Sequence, residues 1–449
     1  MNKLLVVLTL AAGIASAQEI TGDWFGMLEG RSVALRIAIH INKDAAGALE
    51  GSMDSLDQGA MGIAISNVSF KDRVLKFAVD LAHAQYEGTL KPDGSIEGTW
   101  NQGAPLRLAL KRTTAAETQL PRPQNPVKPY PYREEEVAYQ NKKAGIKLAG
   151  TLTIPYGKGP FTTLLLITGS GAQDRDESLM GHKPFLVLSD YLTRHGIEVL
   201  RVDDRSIGGS GGNIATSTTG DFATDVEAGI AFLKARPEVD KRKIGLVGHS
   251  EGGAIAAMVA ARDPDVALIV MMAGTGVPGT DLIVEQVRAL ALASGMPREQ
   301  ADIAAAKQRK IVELVRDEKD QDTLKRKLRE LLAKDVQADQ VEPAIGQLTS
   351  PWYRYFMAFD PGAALMKVTC PVLAINGEKD LQVPPKVNLP AIRKALEAAG
   401  NKHFEVVELP GLNHLFQTAK TGLVSEYAQI EETISPVALE KMAEWIGKR

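Results

Sequence analysis

The chain is poor in several residue types. Cys370 is the single cysteine among 449 residues, so no intramolecular disulfide can staple the fold. Aromatic residues make up only 5% and histidines number seven, which makes each histidine a candidate worth placing. Charge of one sign is also lacking. Lys and Arg total 52 against 55 Asp and Glu, a net charge of −3. Such a balance supplies no broad positive field for a nucleic-acid backbone. No His, Cys, Asp or Glu cluster has metal-ligand spacing, and no Gly-Lys-Ser/Thr follows a glycine loop. A metal, a nucleotide and any other cofactor are therefore not expected. Long apolar runs are absent beyond the first residues, so no membrane span is expected. What remains is 44% hydrophobic residues, ample for packed cores and incompatible with a disordered chain. At about 150 residues per domain, two or three domains are expected.

Residues 1–17, MNKLLVVLTLAAGIASA, place Lys3 before an apolar run and end on Ala15-Ser16-Ala17. This is the pattern of a secretory signal peptide cleaved after Ala17, and the run is too short to span a bilayer as a helix. An exported protein, periplasmic or extracellular, is the expectation. Residues 18–112 show period-two alternation at 32–41, 63–70, 74–79 and 106–110, with turn residues between, as in Lys91-Pro92-Asp93-Gly94. That pattern predicts an antiparallel β domain or small barrel. Gly22-Asp23-Trp24 and Gly98-Thr99-Trp100 resemble the punctuation of lipocalin-like barrels, whose mouths can hold a ligand. Residues 113–132 carry five prolines and predict an extended linker.

From residue 133 to 449 the pattern changes to α/β. Short apolar strands at 163–168, 197–202, 244–247, 267–272, 372–375 and 404–409 alternate with helical segments at 185–195, 219–235, 251–262 and 391–399. A mostly parallel sheet with helices on both faces follows, and ligands in such sheets bind beyond the carboxyl ends of the strands. About a hundred residues separate the strands ending at 272 and beginning at 372, far more than a loop. Their composition predicts an inserted helical cap over about 277–362. Its charge runs, such as 316–320, read as solvated helix faces.

The chemistry concentrates at strand ends. Gly248-His249-Ser250-Glu251-Gly252 joins a strand to an Ala-rich helix. In that context G-x-S-x-G is a nucleophile elbow, whose sharp turn demands small residues two positions either side of the serine. Serine needs a base, and in the order that accompanies this elbow the acid and histidine follow it. Only His403 and His414 qualify. His403 stands at the start of the last strand, the wrong end; His414 follows that strand and is the expected base. The orienting acid comes from Asn376-Gly377-Glu378-Lys379-Asp380, with Asp380 preferred and Glu378 in reserve. Oxyanion donors are expected from the backbone amides of Glu251 and Ser170, with Gly171 next to the latter. Asp203-Asp204-Arg205 and the glycines 208–212 read as a wall of the site, and Asp174-Arg175-Asp176 as an ion-pair network fixing a loop. The aromatic cluster of Trp352, Tyr353, Tyr355, Phe356 and Phe359 is either cap core or the lining of an acyl pocket.

From about residue 133 onward the chain resembles the α/β-hydrolase superfamily, and within it secreted EstD-type acyl esterases. The resemblance rests on Gly169-Ser170-Gly171-Ala172-Gln173-Asp174-Arg175-Asp176, Gly248-His249-Ser250-Glu251-Gly252-Gly253, Gly377-Glu378-Lys379-Asp380-Leu381-Gln382-Val383 and Asn413-His414-Leu415-Phe416-Gln417. Many relatives carry His-Gly at the oxyanion loop, where this chain has Thr168-Gly169. The resemblance implies an α/β-hydrolase fold, Ser250, Asp380 and His414 as a triad, and a carboxylesterase acting on a small-molecule ester through an acyl-enzyme. A peptidase or thioesterase using the same triad is one alternative. A ligand-binding protein with an inert hydrolase domain is another.

Overall fold

The computed structural model describes residues 20–29, 34–44, 46–56, 60–113, 121–333 and 335–449. The expected signal peptide, residues 1–17, lies outside the described residues. The chain divides into two compact units, up to residue 120 and from Pro121 to Arg449.

The first unit is a closed antiparallel barrel of eight strands in sequence order. These are β1 (Gly22–Glu29), β2 (Ala34–Lys43), β3 (Leu49–Ser55), β4 (Ala60–Lys71), β5 (Val74–Val79), β6 (Ala84–Leu90), β7 (Ile96–Gln102) and β8 (Ala104–Arg112), with β1 pairing β8 to close the ring. Among the described residues, closure leaves this barrel no edge strand to pair with another chain. Inward positions are filled by Trp24, Ile39, Leu75, Ile96, Leu108 and Leu110, all fully buried. Together they form one hydrophobic core of the barrel. Gly88 and Gly98 face each other across β6 and β7. A Cβ on either would come within 2.4 Å of the Tyr86 hydroxyl, so both glycines make room for that ring. Tyr86 Oη in turn donates to the Leu108 carbonyl at 3.2 Å.

The second unit is a sheet of eight strands flanked by helices. Its strands are β9 (Tyr132–Asn141), β10 (Ile146–Pro155), β11 (Phe161–Ile167), β12 (Glu198–Val202), β13 (Val239–His249), β14 (Leu268–Met272), β15 (Val372–Gly377) and β16 (Phe404–Leu409). The order is β16-β15-β14-β13-β11-β12-β10-β9. β10 is antiparallel to both neighbours, and the strands from β12 to β16 pair in parallel. The chain moves outward from β11 to β12, then returns to the other side of β11 as β13. This reversal is a topological switch point, and the loops leaving β11 and β13 diverge there.

Helices α2 (Thr219–Lys234) and α3 (Glu251–Ala260) cover one face together with α10 (Pro385–Ala398), through residues such as Val226, Ile255 and Ile392. Helices α1 (Pro184–Arg194) and α11 (Pro436–Gly447) cover the other with Phe185, Leu192, Met442 and Trp445. α10 starts six residues before the predicted 391. Pro385 occupies its first turn, where a missing N–H removes no hydrogen bond.

The inserted cap comprises α4 (Gly279–Ala293), α5 (Arg298–Asp317), α6 (Gln321–Leu332), α7 (Ala338–Leu348), α8 (Pro351–Ala358) and α9 (Pro361–Leu365). Helices α4 to α8 share a small core of their own that includes Val312, Leu324, Leu328 and Met357. The charged residues of α6 project the other way, as the exposed Arg326–Glu330 pair shows. Among the described residues, no helix is long and apolar enough to cross a membrane.

The described part of the proline-rich segment is docked on the second unit rather than hanging as a linker. Arg122 donates to the carbonyls of Met180, Ala428 and Ile430. Gln124 bonds the backbone of Thr433 and Ile434. Proline sets the extended backbone, but these two polar side chains decide where it lies.

Candidate active site

Ser250 sits between the last residue of β13 and the first of α3, with φ 54° and ψ −117°. A side chain rarely adopts this conformation, and the surroundings hold it there. Ser250 N donates to Met272 O at 2.8 Å and Gly253 N to Ser250 O at 3.0 Å. The flanking glycines are sterically required. A Cβ on Gly248 would lie 2.0 Å from Gly252 O, and one on Gly252 would lie 2.2 Å from Ile167 O.

The loops after β15 and β16 meet by a similar close approach. A Cβ on Gly377 would fall 2.3 Å from Leu412 O. That contact brings Asp380, 1% exposed, to His414, 5% exposed. Asp380 Oδ2 lies 2.8 Å from His414 Nδ1. Asp380 Oδ1 accepts from the amides of Gln382 and Val383, both at 2.8 Å. The carboxylate is therefore anchored by two backbone donors while its other oxygen fixes the imidazole. Glu378 is turned elsewhere and accepts from Gly411 N at 2.8 Å. His403 is exposed at the far end of β16. His414 is brought beside the elbow: its ring centroid is 4.7 Å from that of His249, the residue preceding Ser250.

The loop leaving β11 runs alongside the serine, since a Cβ on Gly169 would lie 3.4 Å from Ser250 Cβ. Asp204 clasps both ends of this loop. Its Oδ1 accepts from Thr168 Oγ1 at 2.8 Å, its Oδ2 accepts from Gln173 N at 3.0 Å, and its own amide donates to Gln173 O at 3.1 Å. Gly169 N is taken by Glu177 Oε1 at 2.8 Å. Ser170 and Gly171, the latter at φ 107°, lie between these tethers. A cavity of about 50 Å³ opens behind the loop, lined in part by Gly169, Gly171, Asp204, Phe222, Glu251 and Ile255. Burial pushes the Asp204 carboxyl up to about 7, assisted by the charges of Glu177 and Glu251 and opposed by the bonds from Thr168 and Gln173. Burial likewise raises the Glu251 carboxyl, against the hydrogen bond from Trp352.

The other expected features separate cleanly. Arg175 forks onto Asp203 through Nε at 3.0 Å and Nη2 at 2.7 Å, and also meets Glu136; Asp176 meets Arg201 and Lys183. The glycine run packs around the same aspartate, for Gly209 N donates to Asp203 Oδ2 at 3.0 Å and a Cβ on Gly208 would strike that oxygen at 2.2 Å. The aromatic cluster splits. Tyr353 and Phe356 are buried in the cap core, and Tyr355 and Phe359 stack against each other on the α2–α3 side. Trp352 reaches out of the cap to donate its indole N–H to both oxygens of Glu251, at 2.9 and 3.0 Å. Burial lifts the Cys370 thiol to about 12, which leaves it uncharged and inert. Glu177, the bond from Trp352 to Glu251 and the contacts of His249 were not foreseen from the sequence. The position of His249 inside the elbow motif and of Trp352 in the aromatic cluster gave a signal; Glu177 gave none.

A model of the alpha/beta hydrolase family matches residues 164–425, more than half of the chain. The chain belongs to the alpha/beta hydrolase family. This hydrolase is 24% identical over 370 residues to esterase EstD of Thermotoga maritima, covering 81% of this chain and 79% of that one. A stretch of 84 residues is 38% identical to the thiohydrolase apmlB of Arthrinium phaeospermum, covering 18% of this chain and 27% of the relative. Among solved structures, the alpha/beta hydrolase GrgF from Penicillium sp. sh18 covers 70% of this chain and 98% of its own, at 18% identity and a TM-score of 0.45. The Pyrococcus furiosus esterase Pf2001 covers 71% and 93%, at 16% identity and a TM-score of 0.43.

Proposed function

We propose that this alpha/beta hydrolase is an exported carboxylesterase with Ser250, His414 and Asp380 as its triad. The observation that carries the reading is the buried Asp380–His414 hydrogen bond, at the carboxyl ends of β15 and β16, set beside a serine in strained elbow geometry. The similarity to esterase EstD over most of both chains supports esters as the substrate class.

In this reading Ser250 Oγ attacks the ester carbonyl carbon while His414 Nε2 takes the hydroxyl proton. Asp380 holds the ring so that Nδ1 keeps its proton, and stabilises the imidazolium that forms. Negative charge on the carbonyl oxygen is met by the amides of Ser170 and Glu251. The amide of Glu251 also stands at the N-terminus of α3, where helix dipoles favour an anion. The C–O bond to the alcohol breaks and the alkoxide leaves with the proton held by His414. Water then repeats the sequence on the acyl-enzyme, giving up a proton to His414, and the carboxylic acid is released.

The test uses the mature protein and a Ser250→Ala variant with p-nitrophenyl acetate, butyrate and decanoate, beside matched thioesters and anilides. Turnover of the oxygen esters is expected, falling by at least roughly 10³-fold in the variant. A fluorophosphonate should label the native protein and not the variant. Absence of both turnover and labelling would refute the reading and favour a binding role. Faster thioester or anilide turnover would move the substrate class. Export is checked by sequencing the N-terminus of protein recovered from an expressing cell, which should begin at Gln18.

A further inference from the structure

His249 and Glu177 form a buried pair, 6% and 4% exposed, that takes no part in the reaction proposed above. His249 Nε2 lies 3.0 Å from the main-chain carbonyl of His414. A carbonyl oxygen only accepts, so Nε2 carries a proton. His249 Nδ1 lies 2.9 Å from Glu177 Oε1, the same oxygen that accepts from Gly169 N. With no proton on Nδ1, its lone pair would face a carboxylate lone pair. One proton therefore lies between Nδ1 and Oε1, held either by the ring, as an imidazolium–carboxylate pair, or by the Glu177 carboxyl facing a neutral ring, and the charges around the ring favour the first. Burial disfavours the charged ring, but the Glu177 charge and hydrogen bond, with the His414 carbonyl, outweigh it and hold the imidazole above its ordinary range.

This arrangement is unfavourable to the fold in three respects. Glu177 has a left-handed backbone, φ 54°, which suits a long side chain poorly. Glu177 Oε2 is buried without a hydrogen-bond partner among the described residues. A buried ion pair, moreover, is weak support for stability. Local rules broken together in this way mark functional sites. The contacts show what the pair does. Gly169 precedes the expected oxyanion donor Ser170, His249 precedes the nucleophile Ser250, and the carbonyl it grips belongs to the base His414. Gly169 comes from the loop after β11, His249 ends β13 and His414 lies in the loop after β16, and they share no covalent neighbour.

We propose that Glu177 and His249 are positioning residues: one doubly protonated ring and one carboxylate oxygen that lock the oxyanion loop, the nucleophile elbow and the base loop into mutual register. The inference rests on the catalytic reading of Ser250. Glutamine at 177 would still accept from Gly169 N, but without its charge the ring would lose a proton and one of the three links. Aspartate would keep the charge on an arm one methylene too short to reach both Gly169 N and His249 Nδ1.

The test compares Glu177→Gln, His249→Gln, the double variant and Glu177→Asp in the full mature chain. Rates are expressed per active site, counted by end-point fluorophosphonate titration, so that unfolded protein does not enter. Both single Gln variants are expected to lose roughly 10- to 100-fold in kcat, with KM within about threefold of native, as for reacting groups moved by a fraction of an ångström. The double variant should be no more than about threefold below the worse single variant, because the pair acts as a unit. Glu177→Asp should lose kcat while its melting temperature holds or rises, since aspartate tolerates the left-handed backbone better. A purely structural pair would lower the melting temperature and leave kcat per titrated site unchanged; that result overturns the proposal. Losses that multiply in the double variant overturn it as well. If the Gln variants do not fold, Glu177→Asp decides alone by the same criterion. A native protein that the fluorophosphonate does not label would instead refute the underlying assignment of Ser250.

Discussion

Replacing Asp204 by asparagine tests the electrostatics around the oxyanion loop without removing a reacting group. The folded protein holds the Asp204 proton up to about 7, whereas the unfolded chain releases it near the ordinary value of 3.8. Between those values the native state binds more protons than the unfolded state, so stability falls as pH rises. The stabilisation is fully present below the unfolded pKa and is lost as pH passes through the folded one. A difference of about three units corresponds to roughly 4 kcal/mol, an upper value for a group with some solvent access. Asparagine reproduces the protonated carboxyl. Its Nδ2 can donate to Thr168 Oγ1 while Oδ1 accepts from Gln173 N, so both ends of the loop stay clasped. It does not titrate. Urea unfolding of the two proteins side by side, from about pH 4 to about pH 8.5, should therefore show the gap moving in favour of Asp204→Asn by up to ~4 kcal/mol. The barrel unit is common to both proteins and cancels in the difference. A gap that stays constant within about 0.5 kcal/mol, or that moves the other way, would refute the reasoning.

Two further substitutions probe the site directly. Asp380→Asn would keep the Gln382 and Val383 contacts on Oδ1 but present an N–H to His414 Nδ1, forcing the ring proton onto Nε2, where the serine proton must go. A kcat loss on the order of 10⁴-fold with an unchanged melting temperature is expected, and a loss below tenfold would remove Asp380 from the triad. Gly252→Ala would drive a Cβ into Ile167 O at 2.2 Å and Thr168 O at 2.7 Å, both backbone atoms that cannot swing aside. Thermal unfolding should report a loss of about 1–3 kcal/mol or more, and esterase assays a larger loss than stability alone explains, because α3 and the oxyanion loop are forced apart.

Much of the second unit was legible because its chemistry imposes spacing along the chain. The elbow needs glycine two residues either side of Ser250, and the structure shows backbone atoms about 2 Å from where those Cβ atoms would be. His414 and Asp380 could be placed because each follows an apolar strand at its carboxyl end. The barrel was harder to read. Alternation exposed β2, β4, β5 and β8, while β1 and β7 were signalled only by their Gly-x-Trp triplets and β3 and β6 went unmarked. In β6 and β7 the signal is diluted for a physical reason: Gly88 and Gly98 leave space for Tyr86, so a period-two hydrophobic pattern loses the positions that would show it.

The groups that hold the site together obey no such spacing. Trp352 meets Glu251 across 101 residues, His249 meets Glu177 across 72, and Arg122 meets Ile430 across 308. Each of these contacts joins a side chain on one loop or helix to a partner fixed only by tertiary packing. Composition could say that an aromatic cluster precedes β15 and that prolines extend residues 121–131. It could not say that one tryptophan of the cluster would reach from the edge of the cap core to a carboxyl beside the nucleophile, or that Arg122 would grip three carbonyls. Glu177 is the extreme case. It follows directly after Asp174-Arg175-Asp176, a triplet that attracts attention and whose charges pair with Glu136, Asp203, Arg201 and Lys183, yet its own backbone turns left-handed and aims the carboxylate at the elbow instead. A residue type demanded by reaction chemistry is visible in one sequence. A residue type demanded by the position of another loop becomes visible only when both loops are in place, and its strained backbone and half-satisfied carboxylate are then the signs that it is retained for something other than stability.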